Sequence, residues 1–448
     1  MANVFGTDGV RGEANQGLLG PRGGVKLGLS MANTLQSLLG RSPTLLIGRD
    51  TRRSGQMLEA ALQAGLTAGG ATVETIGVAP TPVVSLLTRL KTYDAGIMVT
   101  ASHNPAKDNG IKIFGPDGAK ISDQFQADLV NALASSSEGM LAQPLSIGTI
   151  NDASDAAGQQ YLDYVVSTVG RLDLLAGVKL VFDGANGASS VMGPELMRRL
   201  GADVIEIGTE PDGLNINDKV GSTAPATLCA AVKAHSADIG IAMDGDADRL
   251  LMVDEEGNEI GGDQVIAALA RSMQTSGQLT GNRVVSTVMS NLKLEHYLDT
   301  LGLGLVRTPV GDRHVAATMR RLGANLGGEP SGHIILSDHA ASGDGPLSAV
   351  HALAAWRAHG GRASEAFNVF EPAAQTLINV RYGETDPLNS ETLQAEIEAA
   401  KSRLGNAGRV LIRKSGTEPL IRIMVEADTA ELAQTEAETL ATLTNNLV

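Results

Sequence analysis

Aspartates recur at alternate positions in Asp244-Gly245-Asp246-Ala247-Asp248-Arg249. On an extended segment, side chains two apart lie on one side, so this spacing predicts three carboxylates projecting to one side. Three anionic oxygens with no Cys or His nearby suit a hard cation, Mg²⁺ ahead of Ca²⁺ or a transition metal. Glu255 falls at the twelfth position, as in an EF-hand loop, but Arg249 stands where that loop needs glycine, and strand-like segments flank it. Aspartate-nucleophile phosphatases also begin Asp-x-Asp, a reading that leaves Asp248 and Arg249 without a task. An acidic surface turn is the bland alternative, and close carboxylates repel one another there.

A second cluster, Thr100-Ala101-Ser102-His103-Asn104-Pro105, sets a hydroxyl beside an imidazole. Serine is a poor nucleophile unless its product is stabilised. Next to a divalent ion, a phosphorylated Ser102 would supply a ligand oxygen, and the ion would neutralise charge in a loose transition state. His103 could bond the phosphate or move a proton. Lys112 could offer charge or act as an acid or base. Arg11, in Gly9-Val10-Arg11-Gly12, could reach the same phosphate. A third cluster, Arg413-Lys414-Ser415-Gly416-Thr417-Glu418-Pro419 followed by Arg422, gathers donors around a glycine, the chemistry that grips a non-reacting phosphate. A fourth, Gly328-Glu329-Pro330-Ser331-Gly332-His333, has no positive cluster, but Glu329, Ser331 and His333 can exchange hydrogen bonds with hydroxyls, as a sugar requires.

The elements that must hold these loops form a repeat. Thr44–Gly48 reads as a strand, Arg49–Ser54 as a polar loop, Gly55–Ala68 as a helix stopped by Gly69-Gly70, and Ala71–Ile76 as a strand. Val178–Phe182 to Ile207 repeats this order, and Arg283–Val288 to Arg307 does so again. Each copy is followed by its own strand–loop–strand unit, carrying Ser102, the three aspartates and Glu329 in turn. The βαβ pattern implies mostly parallel sheets. From about Glu371 the pattern changes to an α+β one. Boundaries are expected near 140–155, 254–258 and 369–372, giving units 1–150, 151–254, 255–369 and 370–448.

The 448 residues are 43% hydrophobic but only 3% aromatic, so the core must be aliphatic. A net charge of −15 argues against a general nucleic-acid binder, though not against a phosphorylated small molecule. The lone Cys229 allows no internal disulfide and fits a reducing compartment. Neither a signal-peptide pattern nor a membrane-spanning run is apparent, so a cytoplasmic location with no membrane partner is expected.

Taken in order, the four loops resemble those of the α-D-phosphohexomutase family: the phosphoserine loop at Thr100–Pro105, the metal loop at Asp244–Arg249, the sugar loop at Gly328–His333 and the phosphate loop at Arg413–Pro419. Phe5-Gly6-Thr7-Asp8-Gly9-Val10-Arg11-Gly12 and Arg307-Thr308-Pro309-Val310-Gly311-Asp312-Arg313 resemble its glucosamine-specific branch. Ala247 replaces a more usual glycine, and Pro330 a glutamine usual in that branch.

The resemblance implies three related α/β domains with mixed, mostly parallel sheets and a smaller C-terminal α+β domain, enclosing a central cleft. It implies that Ser102, His103, Lys112 and Arg11 serve catalysis. One Mg²⁺ would be held by Ser102 with Asp244, Asp246 and Asp248. Arg249, Arg307, Glu329, Ser331 and His333 would meet the sugar, and Arg413, Ser415, Gly416, Thr417 and Arg422 the distal phosphate. The implied reaction interconverts glucosamine 6-phosphate and glucosamine 1-phosphate through a 1,6-bisphosphate. Glucosamine 1,6-bisphosphate or a kinase would prime Ser102, and a homodimer is implied. The alternatives are glucose or mannose phosphates as substrates, a metal-dependent phosphatase, and a non-catalytic sugar-phosphate sensor.

Overall fold

The computed structural model describes residues 9–134, 141–383, 386–415 and 419–448. The first unit holds β1 (Val10–Glu13), α1 (Pro21–Leu39), β2 (Thr44–Arg49), α2 (Arg53–Ala68), β3 (Thr72–Val78), α3 (Thr81–Leu90), β4 (Ala95–Val99), β5 (Asp108–Phe114), α4 (Asp123–Ala134) and β6 (Ile150–Asp152). The second holds α5 (Ser154–Val169), β7 (Lys179–Asp183), α6 (Met192–Arg199), β8 (Asp203–Ile207), α7 (Ala226–His235), β9 (Ile239–Met243), β10 (Leu250–Asp254) and β11 (Glu259–Ile260). The third holds α8 (Gly262–Thr275), β12 (Arg283–Thr287), α9 (Leu292–Thr300), β13 (Gly304–Thr308), α10 (Asp312–Leu322), β14 (Leu326–Gly328), β15 (Ile334–Leu336), α11 (Gly345–His359) and α12 (Ala363–Phe367). The last holds β16 (Ala374–Arg381), α13 (Glu391–Leu404), β17 (Arg409–Lys414), β18 (Leu420–Ala427) and α14 (Ala430–Asn446).

The expected repeat is present in the strand order itself. The first sheet runs β1-β5-β4-β2-β3-β6, the second β11-β10-β9-β7-β8, the third β13-β12-β14-β15. Each therefore contains one four-strand core: a parallel trio whose last strand turns back into an antiparallel neighbour. The turn between those last two strands carries the polar loop each time. The sheets are thus mixed, and the final three-stranded sheet, β16-β18-β17, is wholly antiparallel.

Central strands are buried on both faces and read as unbroken apolar runs, as in Ala95–Val99 and Ile239–Met243. One hydrophobic cluster passes through all three α/β units, from Leu46, Val84 and Phe114 through Leu180 and Phe182 to Val284 and Trp356. Each fully buried Leu, Ile or Phe in it contributes about 1.5–3 kcal/mol. The fourth unit has its own core, including Leu393, Ile421, Ile423 and Leu440. Helices α1 and α2 touch at backbone distance: a Cβ on Gly65 would lie 2.1 Å from the Val25 carbonyl oxygen, so only glycine fits. No helix among the described residues is long and apolar enough to cross a membrane.

Candidate active site

Strand β4 ends at Val99, and the chain folds into a tight loop before β5. Ser102 sits in that loop at φ 53, in the left-handed region, and is 1% exposed. Such a backbone costs an ordinary residue about 1 kcal/mol and persists only where its surroundings enforce it. Here the Ser102 amide donates to Thr100 Oγ1 (2.9 Å), whose hydroxyl donates to Asp50 Oδ2 (2.6 Å). Ser102 Oγ in turn donates to Asp244 Oδ2 at 2.6 Å, joining two loops 142 residues apart. His103 Nδ1 lies 3.3 Å from the same hydroxyl. Burial, then the Arg249 and Arg11 charges, lowers the His103 imidazole to about 4, so at neutral pH the ring is uncharged.

The aspartates converge, though not as an extended segment would bring them together. Asp244 to Arg249 is a turn between antiparallel β9 and β10, closed by Ala247 at φ 59. That is the backbone a glycine adopts more cheaply. Asp244 and Asp246 are 0% exposed, Asp248 is 4% exposed, and one oxygen from each lies within 4.8 Å of the others. A Cβ on Gly245 would stand 2.5 Å from the Ser102 carbonyl oxygen, so this turn can touch the serine loop only with glycine there.

Lys112, on β5, donates to Asp246 Oδ2 (2.8 Å) and Asp248 Oδ2 (2.7 Å). At the N-terminus of α3, Thr81 N donates to the Asp246 carbonyl oxygen (2.9 Å) and Thr81 Oγ1 to the Asp246 carboxylate. Asp246 Oδ1 and Asp248 Oδ1 are buried without a hydrogen-bond partner among the described residues. Orphaned carboxylate oxygens beside a bonded Asp244 are what a hard cation would satisfy, so the donor set fits a metal. Burial first, then the Asp248 and Asp246 charges, pushes the Asp244 carboxyl up to about 8. Against the cost of burial, Lys112 and His333 hold Asp248 well below the usual carboxylate range.

The other expected residues divide. Arg11, between Val10 and Gly12, is held in a strand. It lies on edge strand β1, opposite Gly110 of β5, exposed, with Nη1 3.4 Å from Asn104 Oδ1, so it faces the serine loop. Arg249 donates its amide to Asp244 Oδ1 (3.2 Å) and keeps Nε 3.9 Å from Asp248 Oδ1. Glu329 is half-buried and accepts from Gly311 N (3.1 Å), while Ser331 is exposed.

His333 lies among carboxylates. It is buried, with Nδ1 3.7 Å from Asp248 Oδ1 and Nε2 3.3 Å from Asp312 Oδ2. Burial lowers its pKa, but Asp248 and Asp312 outweigh that and raise it to about 10. The Gly343 N–H, 3.1 Å from Nε2, favours the neutral ring, but two carboxylates outweigh one amide. Its visible partners are therefore carboxylates. Arg307 likewise is engaged, by Glu295 (3.0 Å) and the Ser290 carbonyl oxygen (2.7 Å).

In the fourth unit, Arg413 on β17 and Arg422 on β18 are cross-strand neighbours. Burial, then Arg422, lowers the Arg413 pKa. Arg422 Nε is buried without a partner among the described residues, a donor suited to an anion. Ser415 N donates to the Leu420 carbonyl oxygen (2.8 Å). Gly416, Thr417 and Glu418 lie outside the described residues, as do the opening residues 1–8 and Ser135-Ser136-Ser137 at the expected first boundary.

Sequence reasoning left Asp50, Arg52, Thr81, Asn217 and Asp312 without roles. Asp50 and Arg52 carried a usable signal, a charged pair directly after a βα-unit strand. Thr81 and Asn217 act across unit boundaries and gave none, while Asp312, paired with His333 and with Lys120 of the first unit, lay inside a motif singled out for its resemblance alone.

The chain matches phosphoglucomutase/phosphomannomutase α/β/α domain I over residues 2–140, domain II over 159–257 and domain III over 261–373, and the C-terminal domain of that family over 377–443. It is 48% identical over 432 residues to a phosphoglucosamine mutase of Gluconacetobacter diazotrophicus, covering 96% of this chain and 95% of that one. It is 49% identical over 426 residues to a phosphoglucosamine mutase of Paracoccus denitrificans, covering 95% of each. Among solved structures, a phosphoglucomutase/phosphomannomutase family protein of Burkholderia thailandensis superposes with a TM-score of 0.83 at 25% identity, covering 99% of this chain and 97% of that one.

Proposed function

The chain belongs to the phosphoglucomutase/phosphomannomutase family of phosphohexomutases, and from that membership we infer that it interconverts glucosamine 6-phosphate and glucosamine 1-phosphate. The observation that carries the reading is the 2.6 Å bond from Ser102 Oγ to Asp244, inside a buried trio of aspartates. A phosphoryl carrier and a cation-binding set share one point.

Phosphorylated Ser102 gives its phosphoryl group to the free hydroxyl of the bound sugar phosphate. The Oγ–P bond breaks, a P–O bond to the sugar forms, and the hydroxyl's proton passes to the released Ser102 Oγ. The 1,6-bisphosphate turns end for end, and its other phosphoryl group returns to Ser102. His103, uncharged at neutral pH and 3.3 Å from Oγ, can hold a proton at that atom. A Mg²⁺ ion on Asp244, Asp246, Asp248 and a phosphoserine oxygen would supply charge neutralisation for the transferring group. Lys112 adds a fixed positive charge behind the same carboxylates. Arg249, Glu329 and Ser331 line the route for the sugar, and Arg413, Ser415 and Arg422 receive its far phosphate. Gly416 and Thr417 share that task in this reading, and Arg307 and His333 share the sugar with Arg249, Glu329 and Ser331.

Four units underlie this arrangement, 1–150, 151–254, 255–369 and 370–448. Pairing of β6 with β3 and of β11 with β10 favours moving the first two divisions to about residues 153 and 261. Priming of Ser102 by glucosamine 1,6-bisphosphate or a kinase, a homodimer and a cytoplasmic location complete the proposal. Parallel assays with glucosamine, glucose and mannose phosphates, with intact mass measured at Ser102, test it. Glucosamine phosphate should be turned over fastest, on a phosphorylated serine. Preference for a neutral hexose would move the chain within the family. Steady release of inorganic phosphate without isomerised sugar would make it a phosphatase.

A further inference from the structure

Directly behind the serine loop lies a guanidinium with no exposure at all: the Arg52 side chain is 0% exposed, as is that of its partner Asp50. Arginine has five N–H donors in a rigid plane, and each finds an acceptor here. Nε donates to Asp50 Oδ2 (2.9 Å). One terminal nitrogen donates to the carbonyl oxygens of Pro105 and Asp108, the other to those of Ser102 (2.9 Å) and Asn104 (2.7 Å). Four carbonyls of one short loop are thus gathered on a single planar group. Asp50 closes the ring, since its Oδ2 also accepts from Thr100, whose oxygen receives the Ser102 amide.

We propose that Arg52 is a positioning residue for phosphoryl transfer: by drawing the carbonyls of residues 102, 104, 105 and 108 to the rear of the loop, it fixes Ser102 in its left-handed backbone with Oγ aimed at Asp244. The proposal rests on the mutase reading of the site. Its physical content is twofold. The carbonyl dipoles are turned away from the place where phosphate charge develops, where they would repel it. The serine is also denied the other backbone states that an unclamped polar loop would visit. Buried Asp50 balances the guanidinium charge, so the clamp need not lend positive charge to the reacting face. Lysine cannot substitute, because an ammonium has three donors and no plane. Asn217, from the second unit, reinforces the clamp by donating Nδ2 to the Ser102 and Asn104 carbonyl oxygens at 2.9 and 3.1 Å.

The test measures Arg52→Lys and Thr100→Val by kcat and KM for glucosamine 6-phosphate, by the fraction of Ser102 phosphorylated after incubation with glucosamine 1,6-bisphosphate (intact mass), and by Mg²⁺ calorimetry. A displaced reacting atom costs on the order of 100-fold in rate. The expected result for Arg52→Lys is therefore a fall of about that size in kcat, KM within about threefold, a lower phosphoserine yield, and Mg²⁺ binding retained on the second unit's aspartates. A merely structural role would lower Mg²⁺ binding and kcat together with the folded fraction. Arg52→Lys with kcat and phosphoserine yield within about threefold of the parent would overturn the proposal. Should that variant not fold, Thr100→Val decides: a tenfold or greater loss of kcat at unchanged KM supports it, and parent-like turnover refutes it. If the parent chain turned over no hexose phosphate, the mutase reading would fall, and the phosphoserine yields of parent and variants would still decide the role of Arg52.

Discussion

The two ends of the candidate site are built in opposite ways. At the reacting end, bonds cross freely between the first two units: Ser102 to Asp244, Lys112 to Asp246 and Asp248, Thr81 to Asp246, Asn217 to Ser102. Met98, Phe114, Met243 and Ala247, on the strands and turn that carry these groups, belong to one hydrophobic cluster shared by three sheets. At the phosphate-gripping end, Arg413 and Arg422 stand on a sheet with a separate core. That unit is tied to its neighbour by polar contacts around the start of α9: Asn291 with Ala373, Glu426 with the Leu292 amide, Arg409 with the Ser290 carbonyl, Lys293 with Asp428. A bond-making centre tolerates little displacement, whereas a grip on a leaving and returning phosphate must open. Shared apolar packing suits the first task and a polar hinge the second.

The comparison breaks most visibly at its chemical centre. Ser102→Ala should abolish turnover, by on the order of 10³-fold or more, while the purified chain still binds sugar phosphate; chelation of divalent metal should have a similar effect, reversed by Mg²⁺. Residual mutase activity near that of the parent would remove Ser102 from its role. At the other end, Arg422→Gln should raise KM about 10- to 100-fold with a smaller change in kcat, since one charge-assisted phosphate contact is lost; an equal loss in kcat alone would place Arg422 with the chemistry. The hinge is sharpened by Glu426→Gln. It leaves Arg409 facing a neutral group at a fully buried position, and should cost about 1–3 kcal/mol, read in denaturant unfolding. An unchanged midpoint would show the hinge pair to be dispensable.

The smallest effect concerns α11, on the shared core. Burial, then His339, lowers the His351 imidazole to about 4, below its ordinary 6.5. As pH falls from 6.5 to 4 the unfolded chain takes up that proton first, so stability is lost across this window and is fully present above it. His351→Gln should flatten the melting temperature between those pH values; an unaltered slope would exclude His351 as its source.

What was legible in the sequence was whatever is local. The apolar runs Ile239–Met243 and Ile334–Leu336 end where the strands end, because burial on both faces leaves no polar position within them. Glycines just past the ends of α2, α6 and α9, with Gly70, Gly201 and Gly302 at positive φ, mark the same point in each copy of the repeat. The alternation of Asp244, Asp246 and Asp248 pointed to the right cluster for an incomplete reason. A turn with Ala247 in the left-handed region gathers the carboxylates, which no two-residue period describes. His333 and Arg307 were assigned by their neighbours in sequence. Their partners, Asp312 and Asp248, and Glu295 and Ser290, are found only after folding. Arg52 lay in plain view after β2, but four carbonyls converging on it are a property of the loop's path and not of its letters.

The 142-residue interval between Ser102 and Asp244 also sets a timetable. During synthesis the serine leaves the ribosome long before its carboxylate partner exists. The first unit has a core of its own besides the shared cluster, including Leu27, Leu58, Ile97 and Ile113, yet its own loops lack the three aspartates. The serine–carboxylate pair therefore forms only when the second unit docks, and a chain truncated before it carries a hydroxyl without its carboxylate partner.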